Sequence, residues 1–354
     1  MKNLFSLFCK GLVFTLLLGL IGCEGDIGPQ GPTGPAGPIG QTGLSGQDGQ
    51  NGAENCVDCH GNNQLITAKM FQWENSIHYL GGHYDRNEAD CAACHTSQGF
   101  LDRIASGAME ASADVEDPLP QNCYTCHQIH QTWTGADWAL TAQDPVTLWV
   151  GGETVDLGAG NQCINCHQPR LRTPAVPTPG VDEMLEITSN FWGPHHGAKG
   201  ALFTGKGAYE VGSGYVNSSH TTSVENSCIT CHMAEAIEGR GAGGHTFRVE
   251  TEEGDLNLNG CSSIVCHSAG AVPALVESTQ AEIQLLLDEL NADLKAIGIL
   301  APLFGSDRAV KGTWTSVQVG ALWNYLYVEE DKSKGVHNAQ YAKTLLENSI
   351  AALD

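Results

Sequence analysis

Six times in 354 residues the chain sets a histidine directly after the second of two closely spaced cysteines. Five copies read Cys-x-x-Cys-His: "CVDCH" at 56–60, "CAACH" at 91–95, "CYTCH" at 123–127, "CINCH" at 163–167 and "CITCH" at 228–232. The sixth stretch, "CSSIVCH" at 261–267, parts its cysteines by two extra residues. This pattern constrains the fold more than any hydrophobic period does, because each copy must close around the same chemical group. Two thiols at that spacing can add to the two vinyl groups of a porphyrin, and the next residue then turns an imidazole onto the iron. The pattern therefore predicts c-type haem. A zinc site would pair two such motifs and would not need a histidine after each. Disulfides, the other option for an exported chain, do not call for the adjacent histidine either.

The arithmetic of the 14 cysteines closes on this reading. Cys9 and Cys23 lie in an N-terminal export segment. The remaining twelve form six pairs: Cys56 and Cys59, Cys91 and Cys94, Cys123 and Cys126, Cys163 and Cys166, Cys228 and Cys231, Cys261 and Cys266. The following histidines, His60, His95, His127, His167, His232 and His267, are the expected proximal ligands, giving six haem c per chain. A local Cys261–Cys266 disulfide is the competing reading of the sixth stretch, which otherwise looks like the C-x4-C-H site of some multihaem cytochromes. Eight histidines lie outside the motifs, two more than six bis-histidine irons need. His130 follows His127 by three residues, too close to reach the far face of the same porphyrin. It is expected to serve a neighbouring haem and so to hold two haems together.

Residues 1–22 have the charge order and short apolar run of an export signal, too short for a spanning helix. "LIGC" at 20–23 resembles the lipobox of bacterial lipoproteins. That resemblance implies a lipid anchor on Cys23, and Glu24 after it, rather than Asp, favours the outer membrane. More than one acyl chain makes such an anchor stable. From Gly25 to Gly52 every third residue is glycine, and four triplets carry proline next, at Pro29, Pro32, Pro35 and Pro38. Only glycine fits near the axis of three wound polyproline-II chains, so residues 23–55 read as a lipid-anchored, collagen-like stalk. Both a homotrimer and a single-chain tether satisfy the pattern. At ~3 Å per residue the segment reaches on the order of 80–90 Å. Residues 56–354 form the haem-binding domain.

The net charge of −23, from 17 Lys and Arg against 40 Asp and Glu, leaves no basic surface to offset phosphates and excludes nucleic acid as a partner. Helices are expected at roughly 274–296, 316–328 and 338–353. In the first, Ile283, Leu286, Leu287, Leu290 and Leu294 recur at three and four. Gly, Asn, Thr and Pro dominate between the motifs, which predicts loops there. The fold class expected is mostly α and irregular, with haems stacked inside the domain, supplying much of the buried apolar surface and leaving little room for a core of protein alone.

"WENSIH" (73–78), "GPHHGAKGALFTGKGAYEVGSGYVNSSH" (193–220), "CITCHMAEAIEGRGAGGHTF" (228–247) and "GVHNAQYAKTLLENS" (335–349) resemble segments of the hydroxylamine oxidoreductase and pentahaem nitrite reductase superfamily and its electron-transfer relatives. The resemblance, in patches over 56–349, implies distal ligands at His78, His196, His220, His245 and His337, alongside His130. It leaves His83 and His195 as spares, with the choices between His78 and His83 and between His195 and His196 open. An iron bound by two histidines has no position open for substrate, so the expected role is electron transfer, not catalysis. The anchor and stalk place it at the outer membrane, facing the cell surface or the periplasm. There it would relay respiratory electrons to extracellular acceptors such as metal oxides or to other redox proteins. The alternative is a reductase of nitrite, hydroxylamine or a sulfur oxyanion with one open haem. The chain lacks the C-x-x-C-K motif of the pentahaem nitrite reductases.

Overall fold

The computed structural model describes His60 and residues 64–237, 241–262, 267–268 and 270–354. The export signal, Cys23, the collagen-like stretch, Cys56, Cys59 and Cys266 lie outside the described residues. In chain order the helices are α1 (Gln64–Glu74), α2 (Ile77–Leu80), α3 (Ala89–His95), α4 (Ser97–Ser106), α5 (Cys123–Cys126), α6 (Asn161–Ile164), α7 (Lys199–Thr204), α8 (Ser219–Ser223), α9 (Cys228–His232) and α10 (Asn259–Ser262). Three longer ones follow: α11 (Val272–Ile297), α12 (Ser316–Asp331) and α13 (Ala339–Ala351). Among the described residues the strands are short and pair only in twos, all antiparallel. They are β1 (Val146–Thr147) with β2 (Thr154–Val155), β3 (Met184–Ile187) with β6 (Gly312–Thr315), and β4 (Leu300–Leu303) with β5 (Ser306–Ala309). The result is mixed helix with little sheet. Among the described residues no helix is long and apolar enough to cross a membrane.

The three long helices end where local chemistry says they should. α11 starts with a proline in its first turn and stops at Gly298, whose φ of 90° lets its N–H reach back to the Leu294 and Lys295 carbonyls. α12 opens on a capping box: Thr315 accepts from the Gln318 N–H while the Gln318 side chain accepts from the Thr315 N–H. The stripe Ile283, Leu287, Leu290 and Leu294 of α11 is fully buried, as its period requires. α12 is different. It is buried nearly all round, from Val319 to Val328, and forms the axis between α11, α13 and the 198–209 segment.

That arrangement corrects one expectation. A sizeable core of protein alone exists, built on Trp323, Tyr327, Tyr341, Leu287, Leu345 and Leu202. Asn324, a polar side chain wholly buried in it, is satisfied. The Asn324 amide donates to the Tyr209 carbonyl at 2.7 Å and to the Ser349 hydroxyl at 2.9 Å, and its oxygen accepts from the Tyr209 N–H at 2.9 Å. Trp323 is wholly buried, packs on Trp192 and Tyr327 and donates its indole N–H to the Gly207 carbonyl at 3.0 Å. Replacing it with alanine should cost about 3–5 kcal/mol in denaturant unfolding, the usual range for emptying a large aromatic site. The visible spectrum of the folded protein should be little changed, because the Trp323 partners named above, Trp192, Tyr327 and Gly207, are not motif residues.

Candidate haem sites

The four fully described motifs sit on single helical turns. In α3, Cys91, Cys94 and His95 stand at i, i+3 and i+4, which puts all three on one helix face. In α5 the His127 N–H still bonds the Cys123 carbonyl at 2.9 Å, and after α6 the His167 N–H bonds the Cys163 carbonyl at 3.0 Å. In α9 the whole "CITCH" is helical. α10 carries Cys261 of the longer motif. The nine described cysteines are all free thiols. We number the sites 1 to 6 in chain order of their motifs.

Each motif histidine faces one other histidine across a gap of nearly constant width. The ring centroids lie 6.0 Å apart for His60 and His130, 6.3 Å for His95 and His195, and 6.4 Å for His127 and His245. They lie 6.1 Å apart for His167 and His78, for His232 and His337, and for His267 and His220. An iron bonded to both rings needs about this span: two metal–nitrogen bonds of roughly 2 Å and two ring half-widths of roughly 1 Å.

The second ring nitrogens fit the same purpose. His127 donates Nδ1–H to the Trp138 carbonyl at 2.7 Å, His232 to Phe247 at 2.8 Å and His220 to Val336 at 3.0 Å. Each bond fixes the tautomer that leaves Nε2 available to a metal. Burial favours the neutral form of four of these rings: it holds His167 down to about 3, and His95, His195 and His245 to about 4. For His337 burial works the same way, but Asp331 beside it outweighs it and the net shift is upward.

The distal histidines are placed by specific local devices. His78 lies on α2, which Ser76 caps through its hydroxyl. His130 has a φ of 62° and lies flat on Trp133, with ring centroids 4.5 Å apart. The nearly buried Asp137 carboxylate gathers that loop, accepting from the His130, Thr132 and Trp133 N–H groups and the Thr132 hydroxyl. The His245 N–H bonds the Gln72 side chain of α1 at 3.0 Å. His220 is held through Asn338, which accepts from the Ser218 N–H at 2.8 Å and donates to the Leu202 carbonyl.

Five of the six distal positions expected from the sequence therefore face a motif histidine; the sixth does not. His195, not His196, lies opposite His95. His196 turns outward with its side chain 67% exposed, its N–H bonded to Glu330 and its ring 3.6 Å from that carboxylate. The backbone explains the swap. His195 and His196 are both left-handed, with φ of 62° and 57°, so the chain doubles back here and aims the two side chains apart. His83 is a spare, with Nδ1 on the Gly81 carbonyl and its ring against Tyr84.

Neighbouring sites touch. Cys94 of site 2 lies beside Cys166 of site 4, and Cys163 of site 4 beside Cys228 of site 5, each pair close enough to couple electrostatically. Cys231 of site 5 lies within electrostatic reach of Cys261 of site 6, as Cys126 of site 3 does of Cys163. His130 ties site 1 to the segment that carries site 3. Gly200 of α7 closes the packing behind site 4. Its N–H bonds the His167 carbonyl at 2.9 Å, and a Cβ there would stand 2.5 Å from Ile164.

A buried cation fits the group as well. Arg103 is 4% exposed and lies over the Phe100 and Trp149 rings, yet its Nε and Nη2 have no hydrogen-bond partner. A guanidinium buried this way wants an anion, and each haem brings two propionates. Neither Arg103 nor the Asp331 contact was visible as a motif in the sequence.

Residues 41–176, which hold four of the six motifs, match the family model described as outer membrane cytochrome MtrC/MtrF-like, domains II/IV. The match does not show the resemblance to the hydroxylamine oxidoreductase group, three of whose four quoted segments lie beyond residue 176. Among solved structures the outer cell wall cytochrome OcwA is similar at 20% identity, over 81% of this chain and 50% of that one, with a TM-score of 0.49. The chain thus spans about half the length of that structure. No curated protein matches. The motif match, read with the six facing histidine pairs, supports a multihaem c-type cytochrome.

Proposed function

We propose that the protein transfers electrons through six bis-histidine c-type haems, held by the twelve motif cysteines and by the pairs His60 and His130, His95 and His195, His127 and His245, His167 and His78, His232 and His337, and His267 and His220. The observation that carries this is the pairing itself: every motif histidine has one opposing histidine at the span an iron needs. With both axial positions filled, a haem supplies one-electron exchange and little else. The chain's own work is to fix the imidazole tautomers, favour the neutral form of His95, His195, His245 and His167 by burial, and bring the motifs together. The closeness of motif cysteines of sites 2, 4 and 5 supports a row of neighbouring haems, as electron hopping requires.

The reductase alternative needs one motif histidine without an opposite partner, and none of the six is in that position. We further propose that Cys23 carries lipid and that residues 25–52 act as a stalk, as a trimer or a single tether. The cytochrome would then stand at the outer membrane and pass electrons to other redox proteins or to extracellular acceptors. The match to an outer membrane cytochrome family supports that location.

The deciding experiment is EPR of the oxidised protein with spins quantified against a chemical haem count. Six low-spin ferric haems per chain are expected. A stoichiometric high-spin signal would mean an open iron and would replace electron transfer with catalysis.

A further inference from the structure

One site differs from the others in what lies behind its distal ligand. At site 5, His337 Nδ1 lies 2.6 Å from the Asp331 carboxylate, whose side chain has no exposed surface. The other paired histidines with a hydrogen bond at Nδ1 meet neutral oxygens: the Trp138, Phe247 and Val336 carbonyls and the Tyr124 hydroxyl. Asp331 is also badly placed for stability. It is the last residue of α12, where the helix dipole opposes a negative charge, and it is out of water. Its recorded hydrogen bonds come from His337 and from the Ser333 N–H and hydroxyl, and among the described residues it forms no ion pair with Lys or Arg. Lys199, Glu330 and Lys332 are charged groups in the same neighbourhood. The Lys199 ammonium is drawn to both acids, yet its hydrogen bond goes to the His196 carbonyl at 2.8 Å.

We infer that Asp331 is a positioning and tuning residue: its buried carboxylate holds the His337 ring through Nδ1, makes Nε2 a stronger electron donor, and lowers the reduction potential at site 5. Carboxylates behind metal-bound histidines raise ligand basicity in this way, and a buried negative charge favours the ferric state of a nearby iron. The place matters because Cys228 of site 5 touches site 4 while Cys231 lies near site 6. A more reducing site there sets a step between site 6 and the sites gathered around site 4.

This inference rests on the six-haem reading, and its test separates the two. The holoprotein is titrated electrochemically, with optical and EPR detection, beside Asp331→Asn, which keeps an acceptor for His337 but removes the charge. One of six one-electron steps should move to higher potential by at least about 59 mV, a tenfold change in that site's oxidised-to-reduced ratio. The EPR signal that changes should be the one lost in His337→Ala. Should Asp331→Asn fail to load its haem, Ser333→Ala decides the matter. It strips a hydrogen bond from the carboxylate and should move the same step downward. Six haems with no step moved, or an Asp331→Asn shift to lower potential, would overturn the role of Asp331. Fewer than six low-spin haems in the unsubstituted protein would instead overturn the reading of the whole row.

Discussion

Replacing His195 with alanine should convert one of the six irons from low spin to high spin, while replacing His196 should leave all six low spin. The two residues are neighbours of the same type, so the contrast isolates geometry from chemistry. His195 faces His95 at 6.3 Å with the ring planes nearly perpendicular, 86° apart. His196 is solvent-exposed and held by Glu330. The fully bis-histidine state has no substitute for His195 within the turn, because both residues already occupy left-handed backbone and reversing them would need the 193–198 loop refolded. EPR and magnetic circular dichroism of the two variants, at matched haem content, read the result directly. The opposite outcome, high spin on losing His196, would put the ligand where the sequence resemblance places it and leave His195 as packing.

That reversal shows what a sequence can and cannot carry here. The cysteine motifs were legible because their chemistry demands a fixed spacing, and one helical turn supplies it. The three long helices were legible too: the expected 274–296, 316–328 and 338–353 fall within a few residues of Val272–Ile297, Ser316–Asp331 and Ala339–Ala351. Period and caps are local, so they survive in one dimension. Pairing is not local. His78 precedes His167 by most of a hundred residues, and nothing between them marks the match. The choice within "HH" was hidden because two adjacent αL residues are set by their surroundings, here Glu330 and Arg172, which donates to the Gly193 carbonyl at 2.8 Å. The protein-only core was missed for a different reason. α12 is apolar on nearly every face, and a stripe-based reading registers such a segment as a helix without registering that it is an axis. Asp331 looked like one acid among 40 Asp and Glu until the α12–α13 connection brought it to His337.

The second large effect concerns the odd motif. Replacing Cys261 and Cys266 with serine should yield a protein with five haems instead of six, with His220 and His267 released from iron. The described part of the site already has the form of the other five. His267 faces His220 at 6.1 Å with ring planes 83° apart, and His220 is fixed through Nδ1 on the Val336 carbonyl. Cys261, on α10, is a free thiol near Cys231 of site 5. Two extra residues lengthen the loop between the sulfurs without moving the histidine from its place after the second. Were the pair a disulfide instead, the unsubstituted protein would already hold five haems, and the double substitution would leave that number untouched. It would then cost only the stability a short cross-link confers, on the order of 2–3 kcal/mol. A chemical haem count on the two proteins distinguishes these cases without reference to any activity. It also decides whether the row ends at site 5 or at site 6, and so whether the buried charge at Asp331 acts on its terminus or on its interior.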